Sequence, residues 1–156
     1  MRLSVDWKKP VRLRRDTRSG LTFAVDLERI ESSPGVYIFA RKWGSSFEAL
    51  YVGKSQNLRS RIKDHLNNLR LMNHLEKAKN GKRVVIAGYP QMLPGQQILR
   101  VLKTLERSLI HHFLSEAHDL VNKQGTRIRR HEIESHGGIP KAFVPTLMYL
   151  EKKGSE

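Results

Sequence analysis

The chain has 156 residues, enough for one modest hydrophobic core and too few for two. Its 29 Lys and Arg stand against 15 Asp and Glu, a formal net charge of +14, and a pI near 10.5 points to a polyanionic partner. The absence of Cys excludes a disulfide scaffold, a cysteine nucleophile and a thiolate zinc site, and no apolar run approaches the roughly 18 residues of a membrane span.

The first 20 residues hold seven cations, Arg2, Lys8, Lys9, Arg12, Arg14, Arg15 and Arg18, against Asp6 and Asp16. Pro10 interrupts any helix there. The stretch reads as a partly mobile basic arm, either a solvated tail or a set of phosphate contacts. MRLSVDWKKPVRLRR lacks the apolar centre of a secretory signal, so a cytoplasmic location is expected.

From Gly35 the pattern changes. GVYIFA and FEALYVG are short β-rich apolar runs joined by a turn at Gly44 to Ser46, which together predict a β-hairpin. After Gly53, the residues Leu58, Ile62, His65, Leu66 and Leu69 fall on one face of a helix at about 100° per residue, with Ser55 or Asn57 as its N-cap. A second helical stretch runs to about Lys79. NGK at Asn80 to Lys82 has turn chemistry, and RVVIAGY is a third strand. Pro94-Gly95 then breaks the chain before its strongest helix signal, Gln96 to about Glu116, where Ile98, Val101, Leu102, Leu105, Leu109 and Phe113 share an arc. Past Asn122 come a basic stretch with Lys123, Arg127, Arg129 and Arg130, a Gly137-Gly138 turn and AFVPTLMYL. That last run is apolar enough to pack back on the domain, although Pro145 opposes a central strand. The expected order is β-β-α-α-β-α and a tail.

Two places break the apolar logic. On the long helix Glu106 falls about 80° from Ile98, inside the apolar arc. A carboxylate there must be ion-paired, protonated or bound to a cation, because burying it alone costs several kcal/mol. Either a salt bridge to an Arg or Lys, or a metal-binding or catalytic role, satisfies that demand. On the first helix Arg61 and His65 are i, i+4 neighbours beside the apolar stripe, just after Lys54 in the turn feeding the helix. Arg is suited to gripping a phosphate bidentately there, or simply to solvating the surface. Other motifs fail. GKS at Gly53 to Ser55 mimics the end of a phosphate-binding loop, but Glu48 stands where that motif needs Gly. His111-His112, His118, His131 and His136 have no metal-ligand spacing.

Gly35-Val36-Tyr37, then Tyr51-Val52-Gly53 with Lys54, then Arg61 and His65, then Glu106 and Asn122, is an order that resembles the GIY-YIG nuclease family. PGVYIFA and ALYVGKSQNLRSRIKDHL are especially similar to the family's opening signature. Either tripeptide alone is a weak signal; two in order on successive predicted strands, with Arg, Glu and Asn following, make a strong one. The chain departs in having Val for Ile in both tripeptides, where an inward-packing apolar side chain is expected, and His65 where members have Tyr or His. The resemblance covers residues 34–122, leaving 1–33 as a basic N-terminal extension and 123–156 as a basic C-terminal extension packing on the domain.

The resemblance implies an α/β (α+β) domain with a small three-stranded antiparallel sheet flanked by helices, acting as an endonuclease on DNA. It implies that Glu106 holds one Mg²⁺ or Mn²⁺, with water and phosphate oxygens completing the shell. Arg61 would clamp the scissile phosphate. Tyr37, Tyr51 and Lys54 would surround the attacking water, one tyrosinate with its pKa lowered by Lys54 and the metal serving as general base. His65 would hydrogen-bond a tyrosine or serve the leaving side, and Asn122 would orient substrate or Glu106. Arg12, Arg14, Arg15, Arg18, Lys63, Lys123, Arg127, Arg129 and Arg130 are the candidate nucleic-acid contacts. One such site cuts one strand, so double-strand cleavage needs a dimer or two encounters. The rival readings are a non-catalytic nucleic-acid-binding module on the same fold and an RNA-directed nuclease.

Overall fold

A computed structural model describes residues 2–15, 23–78, 80–121, 129–134, 137 and 147–152. The chain divides into two compact units, Met1–Val121 and Asn122–Glu156. The first contains β1 (Ser4–Trp7), β2 (Val11–Arg12), β3 (Arg14–Arg15), β4 (Phe23–Ala24), a 3₁₀ turn at Leu27–Arg29, β5 (Gly35–Trp43), β6 (Ser46–Ser55), α1 (Leu58–His65), α2 (Leu69–Lys77), β7 (Lys82–Gln91) and α3 (Ile98–Ser115). In the second, β8 (Arg129–Glu134) and β9 (Leu147–Lys152) form an antiparallel pair.

The expected three strands are present as β7-β5-β6, but the sheet has five. β1 and β2 both pair antiparallel with the outer side of β7, Trp7 opposite Gly88 and Val11 opposite Val85. The segment expected as a basic arm is thus woven into the sheet. Its cations mask a period-2 pattern in which Val11 and Leu13 are buried while Arg12 and Arg14 face solvent. Pro10 falls between the two short strands, where it costs no ladder bond.

The β5–β6 hairpin turns at Gly44, whose φ of +58° suits glycine. Opposite Phe39 and Ala40 stand Tyr51 and Ala49, so Leu50 is an extra residue bulged out of register. The bulge lets Leu50 and Tyr51 both pack toward the same face. That face holds Tyr37, Phe39, Leu50, Leu58, Ile62, Leu71, Met72 and Leu75 beneath α1 and α2. The opposite face carries Val36 against Val101, Leu102 and Leu105, and Ile38, Ala40 and Val52 against Ile110 and Leu114. The sheet is therefore sandwiched between α1–α2 and α3. Val36 and Val52, the middle residues of the two tripeptides, are completely buried, as their apolar character requires.

Asn57 rather than Ser55 caps α1, accepting from the Ser60 amide at 3.1 Å, while Ser55 bonds the Asn57 backbone. The expected stripe does not continue to Leu69. Asn68 caps a new helix by accepting from the Leu71 amide at 3.2 Å, and Leu69 is left exposed. Of the expected arc α3 buries Val101, Leu102 and Leu105 and leaves Ile98, Leu109 and Phe113 partly buried; it buries Ile110 and Leu114 as well, because the segment returning through Leu120 packs into the same cluster at its C-terminal end.

Candidate active site

Three successive rungs of the β5–β6 ladder, Gly35 opposite Ser55, Val36 opposite Lys54 and Tyr37 opposite Gly53, place both tripeptides at one end of the sheet. The glycines there are dictated by close approach. A Cβ on Gly53 would overlap the Tyr37 hydroxyl and ring. A Cβ on Gly35 would lie 2.5 Å from the Gly88 carbonyl and 2.8 Å from Leu58 Cδ1. The first lets the tyrosine ring lie flat across the neighbouring strand; the second lets β7 and α1 close on β5.

Because side chains alternate along a strand, this end presents two groups on opposite faces. On the α1 face, Tyr37 and His65 are buried and hydrogen-bonded, Oη to Nε2 at 2.5 Å. Tyr51, half-buried, stacks on Tyr37 with centroids 6.1 Å apart at 21° and meets the His65 ring edge-on at 5.0 Å. Burial, then the neighbouring Tyr51, pushes the Tyr37 pKa far up, with the Arg61 guanidinium pulling against them. Burial, helped by the Arg61 charge, lowers His65 to about 4. A protonated phenol beside a neutral imidazole means that the phenol donates to Nε2. The guanidinium of exposed Arg61 acts on the same hydroxyl. Burial works against its charge, yet hydrogen bonding and attraction from Tyr37 leave its pKa raised.

Phe39 completes this cluster, its ring edge-on to Tyr37 at 5.9 Å and to His65 at 5.8 Å. Sequence reading passed it over; its position two residues beyond Tyr37 on the same strand face was the available signal.

On the α3 face, Lys54 Nζ lies 3.2 Å from Glu106 Oε1, with side chains 38% and 22% exposed. Glu106 is thus at the rim of the apolar arc rather than within it, and the cation expected beside the tyrosines is paired with it instead. The cation at the Tyr37 hydroxyl is Arg61. The tyrosine expected to be held as tyrosinate by Lys54 is, in the case of Tyr37, shifted the other way.

Among the described residues, no three His, Asp or Glu gather into a metal site. The donor set fits a cation that keeps several waters and takes one carboxylate together with substrate phosphates, and Glu106 offers that one half-exposed carboxylate. Arg12 on β2, Arg14 and Arg15 on β3 and Lys63 on α1 are exposed, Arg15 within 3.7 Å of Glu76. Arg129 and Arg130 lie on β8 in the second unit, and Arg18, Asn122, Lys123 and Arg127 lie outside the described residues. Among the described residues no helix is long and apolar enough to cross a membrane.

Residues 33–118, more than half of the chain, match the family described as the GIY-YIG catalytic domain. The matched range holds Tyr37, Tyr51, Lys54, Arg61, His65 and Glu106 and stops before Asn122. Neither the curated proteins nor the solved structures supplied a match.

Proposed function

The chain belongs to the GIY-YIG nuclease family, and from that premise we propose that it is a divalent-metal-dependent endonuclease hydrolysing DNA phosphodiester bonds. The observation that carries this reading is the buried Tyr37–His65 hydrogen bond, with the Arg61 charge acting on the same hydroxyl. A tyrosine serving only as core would be replaced without loss by Phe, whereas this one spends its hydroxyl on an imidazole and a guanidinium.

In this mechanism Tyr37 takes a proton from the attacking water as its own proton passes to His65 Nε2. The imidazole is neutral at any pH above about 5, so its Nε2 lone pair is free for the phenol proton, and Tyr51 holds the two rings in place by stacking. Arg61, exposed at one side and anchored to Tyr37 at the other, neutralises charge developing on the phosphate. Glu106 would hold the Mg²⁺ or Mn²⁺, which when bound supplies Lewis-acid polarisation of phosphate oxygens. Lys54 fixes the carboxylate orientation. Asn122, Arg18 and the basic residues of both extensions are assigned to substrate contact, and the cytoplasm is the assigned compartment.

The Lys54–Glu106 contact itself favours a second reading, a nucleic-acid-binding module on the same fold, since an ammonium group competes with a metal for that carboxylate. Incubating supercoiled plasmid, and in parallel a labelled RNA, with Mg²⁺ or Mn²⁺, beside EDTA and a Glu106→Ala variant, separates the two. Nicked or linear product from the wild type alone supports the nuclease. Binding without product under any metal supports the module, and product from RNA alone redirects the substrate assignment.

A further inference from the structure

Glu106 is the single carboxylate of α3, within ILRVLKTLERSLIHHFLS. On the same helix Arg100, Lys103 and Arg107 are exposed. At about 100° per residue the three share an arc of about 60° whose near edge is about 60° from Glu106. Among the described residues no carboxylate pairs with any of them, in contrast to Arg15, Arg29, Arg41 and Lys54, each of which has one. Three like charges on one face repel one another, so the arrangement costs the free protein stability that a polyanion would return.

We propose that the outer face of α3 is the track along which the backbone of the DNA substrate lies, with Arg100, Lys103 and Arg107 as its phosphate contacts. This rests on the nuclease reading for the identity of the substrate. From Arg100 to Arg107 the helix advances about 10.5 Å, and phosphates of one strand advance about 3.4 Å each along the duplex axis, so the stripe spans about three of them. The neighbouring hydroxyls are already committed: Thr104 Oγ1 donates to the Arg100 carbonyl at 2.9 Å and Ser108 Oγ to the Thr104 carbonyl at 2.8 Å. The hydroxyls therefore add no donors for base edges, and contact falls to the three cations, whose rise along the helix matches successive phosphates. The face positions a strand beside Glu106 without reading its sequence. No residue of this stripe figured among the expected nucleic-acid contacts, which were sought in the two extensions and at Lys63 on α1; the signal available was the i, i+3, i+7 spacing of cations on the helix that carries the carboxylate.

The test is fluorescence anisotropy of a labelled DNA duplex with the full chain at a series of salt concentrations, comparing wild type with Arg100→Gln, Lys103→Gln and Arg107→Gln, singly and together. Gln keeps helix propensity, and circular dichroism verifies the fold. Each single variant is expected to lower the slope of log K against log salt by about 0.9 and the triple variant by about 2.7, across unrelated sequences. In steady-state cleavage KM should rise at least tenfold for the triple variant while kcat holds. Arg70→Gln with Lys77→Gln, exposed cations of α2 across the sheet, should change neither. A triple variant with the wild-type slope, or a wild type with no affinity for duplex, overturns the track. If the slope falls as expected but no metal yields product from the wild type, the track stands and the nuclease reading fails.

Discussion

Gly53 lies directly opposite Tyr37 across the β5–β6 pair, and the tyrosine ring occupies the space where a Cβ would stand. Gly53→Ala should therefore displace the Tyr37 hydroxyl from His65. A destabilisation of about 1–3 kcal/mol is expected from the overpacking, with cleavage reduced more than the loss of folded protein explains. Thermal melting read beside initial rates checks both, and a variant as active and stable as wild type would show that the ring does not lie against this glycine.

Tyr37→Phe keeps the ring and removes the proton carrier. The core should survive at a cost of about 1–3 kcal/mol for the unpaired His65 nitrogen, while the rate falls by about 10²–10⁴ if the phenol relays the proton. An unchanged rate under single-turnover conditions would remove Tyr37 from the chemistry and leave Tyr51 as the candidate.

His65 binds its proton only near pH 4 in the folded chain, against 6.5 ordinarily. The unfolded chain thus takes up a proton as pH falls through 6.5 while the folded chain does not. The associated stability is complete above about pH 6.5 and declines toward pH 4, by about 2 kcal/mol at about pH 5 and roughly 3 in total. Urea midpoints at about pH 7 and pH 5 should record this, and His65→Gln should remove most of the difference. A smaller slope remains from His118, whose pKa burial also lowers. Equal midpoints in the wild type would mean that the imidazole is solvated.

Glu106→Gln should cut metal-dependent cleavage more than about a hundredfold. Its effect on stability should stay within about 1 kcal/mol, since the contact with Lys54 is partly exposed. A melting temperature far below wild type would identify the pair as structural.

Arg41 is buried in β5, its Nε 3.1 Å from Glu48 Oε1, its Nη1 donating to the Asn80 carbonyl at 2.9 Å and its guanidinium 3.8 Å over the Trp43 ring. Removing the carboxylate leaves a buried charge without its counterion. Glu48→Ala is expected to cost about 3 kcal/mol in urea unfolding, with cleavage by the remaining folded protein unchanged because this cluster lies at the far end of the hairpin from Tyr37. A loss below about 1 kcal/mol would show that water reaches Arg41.

The three central strands and the hairpin turn were legible because GVYIFA, FEALYVG and RVVIAGY are β-rich apolar runs between turn residues. The residues Tyr37, Tyr51, Arg61, His65 and Glu106 were legible because their order resembles a family signature. β1 and β2 were not, because a two- or four-residue strand offers too few alternations to outweigh a cluster of cations and a proline. The division of the site into two faces was equally hidden. The resemblance implies Lys54 as a neighbour of the tyrosines, but strand alternation turns it toward α3 and gives the place at the Tyr37 hydroxyl to Arg61, a helix residue.

The antiparallel pairing of β1 and β2 with β7 has a practical corollary for anyone trimming the protein. A fragment cut to the family boundaries, residues 33–118, would strip that strand of its two partners on the outer side, leaving it paired with β5 alone and Val84, Val85 and Ala87 along an open edge. Unpaired amides beside apolar side chains are a template for adding strands from other molecules. Such a fragment should be prone to self-association, so the leading residues protect the sheet from its own copies.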